Sequence, residues 1–278
     1  MSPDADPEAE EKLSRLLSLL KQYESAVLAF SGGVDSSFLL RAMGLAGMKQ
    51  FVAVTACSGT MPSSDYQRAL SIAGEEGAEH LVIRTDELAN EEFVRNYADR
   101  CFHCKDELFS KLCMMARERQ LSHVFDGTNA DDLRDYRPGL KAAAKHGVRS
   151  PLAECGFSKN DIRNASRRLG LGTWDQPSSP CLSSRVPYGR KITAEALRRI
   201  EASEEFLRTF GLTTVRVRDH GDIARIEVPA DDMAALFDPV TRRSVSERLR
   251  GLGYAFVSVD LDGYKSGSMN RNLEHKNH

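Results

Sequence analysis

Apolar residues in the first half of the chain follow two alternating rhythms. Leu13, Leu16, Leu17, Leu19 and Leu20 fall on one stripe of a helix over 8–23, and the short apolar run at 26–30 behind it reads as a buried strand. The pairing repeats, with 38–43 helical and 51–56 extended, then 65–76 helical and 80–85 extended. A helix over 105–119 leads to a strand at 123–127. Apolar strands separated by amphipathic helices are what a parallel sheet covered on both faces requires, because every parallel connection must cross over. The pattern predicts an α/β domain, a doubly wound parallel sheet, over 1–171.

Beyond it the rhythm stops. Pro, Ser and Gly crowd the stretch that follows, a composition neither helix nor strand tolerates, so 172–192 reads as a junction loop carrying Cys181. Thr193 then caps a helix running to Phe210, and 214–218 with 223–228 form a hairpin around His220, Gly221 and Asp222. Two short helices and a strand at 255–259 complete a smaller C-terminal α+β domain over 193–278. There is no internal repeat and no low-complexity tract.

Composition narrows the class. The 278 residues carry 38 basic and 40 acidic side chains, well mixed and with a formal net charge of -2, so no bulk field draws in nucleic acid or a membrane surface. Residues 1–11 are acidic and lack the basic-then-apolar layout of a secretion signal, and no run of about 18 apolar residues occurs. A cytoplasmic protein is expected. Its six cysteines then read, wherever they cluster, as reactive thiols or metal ligands rather than disulfides.

The sharpest motif is Ser31-Gly32-Gly33-Val34-Asp35-Ser36-Ser37, directly after the first strand and opening the next helix. Amides freed by the glycines and by the helix start converge there, which suits an anion. A glycine turn with a Ser or Asp cap is the plainer account, but strand, loop and helix arrive in the order an anion site needs. No lysine follows to reach a terminal phosphate, and the spacing is not a dinucleotide fingerprint. Cleavage between the α and β phosphates of ATP, with pyrophosphate held by the loop, is the expectation. Gly127, Thr128 and Asn129 follow another strand at the carboxyl edge of the sheet, where open α/β folds bind ligands. Asp131 or Asp132 beyond them offers oxygen ligands for magnesium (Mg2+), and equally a polar turn with a helix cap.

Cys101 and Cys104 form a C-x-x-C pair placed just ahead of a predicted helix, and Cys181 lies far away in sequence in the junction loop. Cys57, Cys113 and Cys155 have unremarkable surroundings. A redox dithiol, half of a zinc site completed by Cys181 and a histidine such as His103, and a four-iron cluster on three thiolates with one open iron all remain compatible with this set.

Ser31 to Ser36 match the Ser-Gly-Gly-x-Asp-Ser signature of the PP-loop ATP pyrophosphatases, and the chain resembles that superfamily, whose fold is adenine nucleotide alpha hydrolase-like. The resemblance implies that ATP adenylates a carboxylate, amide or carbonyl oxygen. With the motifs at 100–105, 126–132, 135–139, 180–185 and 214–218, the chain more closely resembles the LarE family over about 13–262. These are ATP-dependent sulfur transferases of nickel-pincer nucleotide biosynthesis.

That resemblance implies adenylation of a carboxylate on pyridinium-3,5-biscarboxylic acid mononucleotide, release of pyrophosphate and formation of a thiocarboxylate. The product scaffold later binds nickel for lactate racemase. It makes Asp35 part of the ATP site and Cys181 the cysteine whose own sulfur is sacrificed in single-cysteine members. The company of Cys101 and Cys104 resembles members that hold a four-iron four-sulfur (4Fe-4S) cluster on three cysteines. Arg216 and Arg218, with Glu204 and Arg185, fall at or near positions that resemble a substrate-phosphate site, for which guanidinium forks are suited. The implied partners are a nucleotide substrate, a sulfur donor, a downstream nickel-insertion protein and further copies of the chain, up to a hexamer, assembled and fed through the C-terminal domain. A tRNA-thiolating PP-loop enzyme is the first rival, disfavoured by the net charge. An ammonia-using synthetase is the second and leaves the three cysteines unexplained, and a nucleotide-binding regulator would release no pyrophosphate.

Overall fold

Alternation of apolar runs and amphipathic stretches resolves into an ordered series of elements. In the computed structural model, which describes residues 7–135 and 137–265, these are α1 (Pro7–Leu20), β1 (Ser25–Ala29), α2 (Val34–Leu45), β2 (Gln50–Cys57), α3 (Ser63–Glu75) and β3 (Glu79–Arg84). Then come α4 (Glu91–Val94), α5 (Arg100–Glu118), β4 (His123–Phe125), α6 (Gly139–Lys145), α7 (Pro151–Glu154) and α8 (Lys159–Arg168). The last are α9 (Ala194–Arg208), β5 (Arg216–Asp219), β6 (Ile223–Glu227), α10 (Met233–Phe237), α11 (Pro239–Gly251) and β7 (Phe256–Val259). Tyr136, inside the 135–139 motif, lies outside the described residues, as do 1–6 of the acidic start. Among the described residues no helix is long and apolar enough to cross a membrane.

The chain divides into two compact units that are not consecutive stretches. One is drawn from residues up to Thr85 and from Cys101–Ser179, the other from Asp86–Arg100 and from Pro180 onward.

In the first unit four parallel strands stand in the order β3-β2-β1-β4. The residues of β1 explain why it is central. Ala26 and Leu28 face a core of Leu16, Leu20, Phe38, Leu39, Phe157 and Ile162, while Val27 faces Val52, Val54, Phe109 and Leu112 on the other side. A strand with no polar face can sit only where helices cover both sides, and its larger side chains, Val27 and Leu28, contribute about 1.5–3 kcal/mol each when fully buried. The sheet is thus the doubly wound one that the pattern predicts. Because β1 leads to β2 on one side and pairs with β4 on the other, the carboxyl ends of β1 and β4 form the switch point at which open α/β sheets bind ligands.

In the second unit β5 and β6 form the expected antiparallel hairpin, Gly221 adopts φ 84° in its turn, and β7 adds in parallel to β6. Leu207, Val217, Ile226, Leu249 and Tyr254 make its core. Thr193 caps α9 as its sequence indicates, its side chain accepting from Ala196 N.

Two local expectations change. The helix expected from residue 105 begins at Arg100, so Cys101 and Cys104 lie within its first two turns instead of ahead of it. The spacing of three residues that marks a C-x-x-C pair is also a helical repeat, and both residues are compatible with one helix face. Residues 86–99, to which the apolar pattern assigns no element, form a short turn and α4, anchored by buried Phe93 and Val94.

Candidate functional site

The loop after β1 is shaped by its two glycines. Gly32 adopts φ 68°, and a Cβ there would stand 2.7 Å from the Cα of Ala69 in α3, so both the backbone conformation and the space demand glycine. Gly33 is the N-cap of α2 and supplies no side-chain cap, which leaves first-turn amides of that helix to a ligand. Ser31 and Ser36 brace the loop. Gly33 N donates to Ser31 Oγ at 3.3 Å, Ser31 N to Ser36 Oγ at 3.3 Å, and Ser36 Oγ to Gly33 O at 3.2 Å. Val34 and Ser37 are buried under the loop.

The loop after β4 closes against it. A Cβ on Gly127 would lie 3.0 Å from Ser36 N, so glycine permits the two backbones to meet. Thr128 is held by Asp126, its Oγ1 donating to Asp126 Oδ2 at 2.8 Å. Asn129 Nδ2 donates to Asp35 Oδ1 at 3.3 Å, and Asn129 Oδ1 accepts from the amides of Asp131 and Asp132. Asp35 therefore stands at the crevice between the two loops, with its other oxygen 2.5 Å from Lys159 Nζ. The sequence reading missed Lys159. It opens α8, where the helix dipole disfavours a cation, and a lysine in that place is the signal that could have raised it.

Of the two aspartates expected to serve magnesium, Asp131 accepts from Lys159 N at 2.8 Å. Asp132 accepts from Asn129 N at 3.1 Å and pairs with Arg137 at 2.8 Å. Burial pushes the Asp132 carboxyl above the usual carboxylate range, and the nearby charge of Asp35 adds to the effect. Two carboxylates and an ammonium thus crowd one crevice, a setting that a magnesium-bound polyphosphate would relieve.

Cys101 is exposed and Cys104 half-buried at the start of α5, both in the first unit and outside any disulfide. Cys181, half-buried, belongs to the second unit and precedes a short 3-10 turn, Leu182–Arg185. Among the described residues no three His, Cys, Asp or Glu side chains are grouped so as to hold a metal ion. The donor set itself, three accessible thiols outside any disulfide, is chemically suited to iron and sulfide. Cys113 and Cys155 are raised in pKa by burial, and Cys113 donates to His146 O, as inert thiols do.

The Cys181 loop is fixed within the second unit by two buried groups. Arg185 is 1% exposed, binds Glu204 with both forks at 2.9 and 3.0 Å, and donates to the carbonyls of Pro180 and Cys181. Burial pushes Glu204 up, but the Arg185 hydrogen bonds and charge outweigh it and hold the carboxyl below its ordinary range. Asn96, fully buried at φ 58°, donates through Nδ2 to the carbonyls of Val186, Pro187 and Arg190 and accepts from Arg100. Arg216 and Arg218 are both buried on β5. Arg218 pairs with Glu227 at 2.5 Å and donates to Ser184 O, and Arg216 lies over the ring of Tyr264. Burial and the proximity of Arg185 lower the pKa of Arg216. Arg185, Glu204, Arg216 and Arg218 thus form one buried network beside the Cys181 turn, since Val217 N donates to Glu204 between the two β5 arginines.

Fold and crevice define an α/β enzyme domain of the PP-loop class. The solved structure of NMN synthetase from Francisella tularensis superposes with a TM-score of 0.51, covering 62% of this chain and 75% of that one at 18% identity, a likeness of fold. No family model matches the chain. Curated relatives are more specific. Pyridinium-3,5-bisthiocarboxylic acid mononucleotide synthase of Lactiplantibacillus plantarum is 37% identical over 263 residues, covering 94% of this chain and 95% of its own. An uncharacterised protein of Synechocystis is 40% identical over 264 residues, 95% of this chain and 98% of that one. Another, of Methanocaldococcus jannaschii, is 29% identical over 258 residues. The chain belongs to the LarE family, that of the Lactiplantibacillus synthase.

Proposed function

We propose that this chain adenylates a carboxylate of pyridinium-3,5-biscarboxylic acid mononucleotide with ATP and replaces the activated oxygen by sulfur. The observation that carries the reading is the uncapped start of α2, facing the β4 loop across Asp35, Asn129 and Lys159. A carboxylate is a poor electrophile; attack of its oxygen on the α-phosphorus displaces pyrophosphate and leaves AMP as a leaving group for the sulfur nucleophile. The loop amides and Lys159 neutralise charge on the departing pyrophosphate, and Asp35, with Asp132 beside it, would hold magnesium. The network of Arg216, Arg218, Arg185 and Glu204 is proposed to receive the phosphate of the mononucleotide.

Cys101, Cys104 and Cys181 are proposed to be the sulfur-handling thiols and would together hold a 4Fe-4S cluster. Such a cluster would supply sulfide without loss of a protein sulfur. In the same reading the enzyme works in the cytoplasm as a homo-oligomer, takes sulfur from a donor and passes its product to nickel insertion for lactate racemase.

Asp35→Asn tests the carboxylate at the crevice. Pyrophosphate release, assayed with ATP, magnesium and the biscarboxylate mononucleotide, is expected to fall at least about a hundredfold, as for removal of a transition-state electrostatic group, with an unaltered circular dichroism spectrum. Unimpaired release would remove Asp35 from the site.

A further inference from the structure

Asp65, in the first turn of α3, is buried and takes no part in the chemistry above. Its two carboxylate oxygens look in different directions. Oδ1 accepts from Arg68 Nη2 at 2.6 Å, and Arg68 Nε in turn donates to Gly32 O at 3.3 Å. Oδ2 accepts from Ser179 Oγ at 2.6 Å. Ser179 lies in an exposed stretch, 177–180, two residues before Cys181.

The carbonyl that Arg68 holds is not an incidental one. Gly32 O and Gly33 N–H belong to the same planar peptide unit, so fixing the oxygen fixes the direction in which the amide points. Gly33 N lies within the anion loop, where it donates to Ser31 Oγ at 3.3 Å and so helps set the loop's shape, and α3 already meets this loop closely enough to require glycine at 32. An anion drawn onto the loop therefore acts on a peptide plane that Arg68 and Asp65 connect to Ser179. Both bonds to Asp65 have a carboxylate acceptor and measure 2.6 Å, in the short and strong class of hydrogen bonds.

We propose that Asp65 is a positioning residue that couples the anion loop to the segment leading into Cys181, so that pyrophosphate bound at the loop alters the presentation of the Cys181 thiol. The inference rests on the reading of the anion loop given above. It adds a route by which occupancy of the nucleotide site governs the sulfur-bearing loop.

The test is alkylation of the full-length protein by iodoacetamide, followed at each cysteine by peptide mass spectrometry with and without magnesium pyrophosphate. In the wild type the probe is expected to change the Cys181 rate about tenfold, a typical coupling, and to leave Cys113 unchanged. Ser179→Ala, at an exposed backbone position, and Asp65→Asn are expected to abolish the response although calorimetry still shows pyrophosphate binding; Ser179→Thr, which keeps the hydroxyl, restores it. A merely structural role would not remove a ligand response while sparing the ligand. If the wild type binds pyrophosphate and Cys181 does not respond, or if both variants respond as the wild type does, the coupling is wrong and the anion loop stands. If the wild type binds no pyrophosphate, the anion-loop reading falls and the coupling falls with it.

Discussion

Asp132 shows how a single carboxyl can be held against its own preference. Burial raises its pKa, so the folded protein binds that proton more tightly than the unfolded chain does. The sign follows from linkage: stability is lost as pH rises from the ordinary carboxylate range, about 4, through the raised folded value, and the penalty is fully present above it. Asp132→Asn is therefore expected to raise the denaturation midpoint at pH 7 and to leave it unchanged near pH 3, while weakening magnesium-dependent ATP binding. A midpoint that falls at pH 7 would mean that the pairing with Arg137 outweighs burial. Asp35, Gly32 and Ser36 were legible because a contiguous motif carries them, whereas Lys159, Asp65 and Arg68 were not. Their partners lie 124, 114 and 36 residues away, and no local spacing encodes such contacts.

At the level of elements, the first-half strands and helices follow from the period of the apolar residues, with boundaries shifted by a few positions. The segment 86–99 escaped because its order comes from distant groups: Asn96 grips carbonyls about ninety residues away. An asparagine is suited to this place twice over, since it tolerates the left-handed backbone and its amide can donate. Asn96→Gly keeps the backbone and deletes the amide's two N–H donors, which the three carbonyls share; a loss of about 3 kcal/mol in urea unfolding is expected. Asn96→Asp should be no better, because a carboxylate turned toward carbonyl oxygens repels them. A loss below about 0.5 kcal/mol for both, the level of an ordinary surface change, would show that the loop is held by other contacts. Helix α5 carries a related lesson: the C-x-x-C pair is expected just ahead of the helix, yet its spacing is also that of a helix face, and the structure takes the helical option.

For the whole molecule, the doubly wound sheet places two loops at one switch point and so explains why residues of β1, β4 and α8 converge on Asp35. The Cys181 loop is built instead on buried ion pairs of the second unit, whose partners the sequence displays without their pairing. Arg185, for one, pairs with Glu204 and donates to the loop carbonyls of Pro180 and Cys181. The chemistry proposed for the molecule has one atom-level consequence. If the substrate carboxylate attacks ATP before sulfur enters, one carboxylate oxygen must leave with AMP. A substrate labelled with heavy oxygen in its carboxylates, turned over by the wild-type protein and analysed by mass spectrometry, is expected to give AMP carrying one labelled oxygen and unlabelled pyrophosphate. Unlabelled AMP, or ADP as the nucleotide product, would contradict the account.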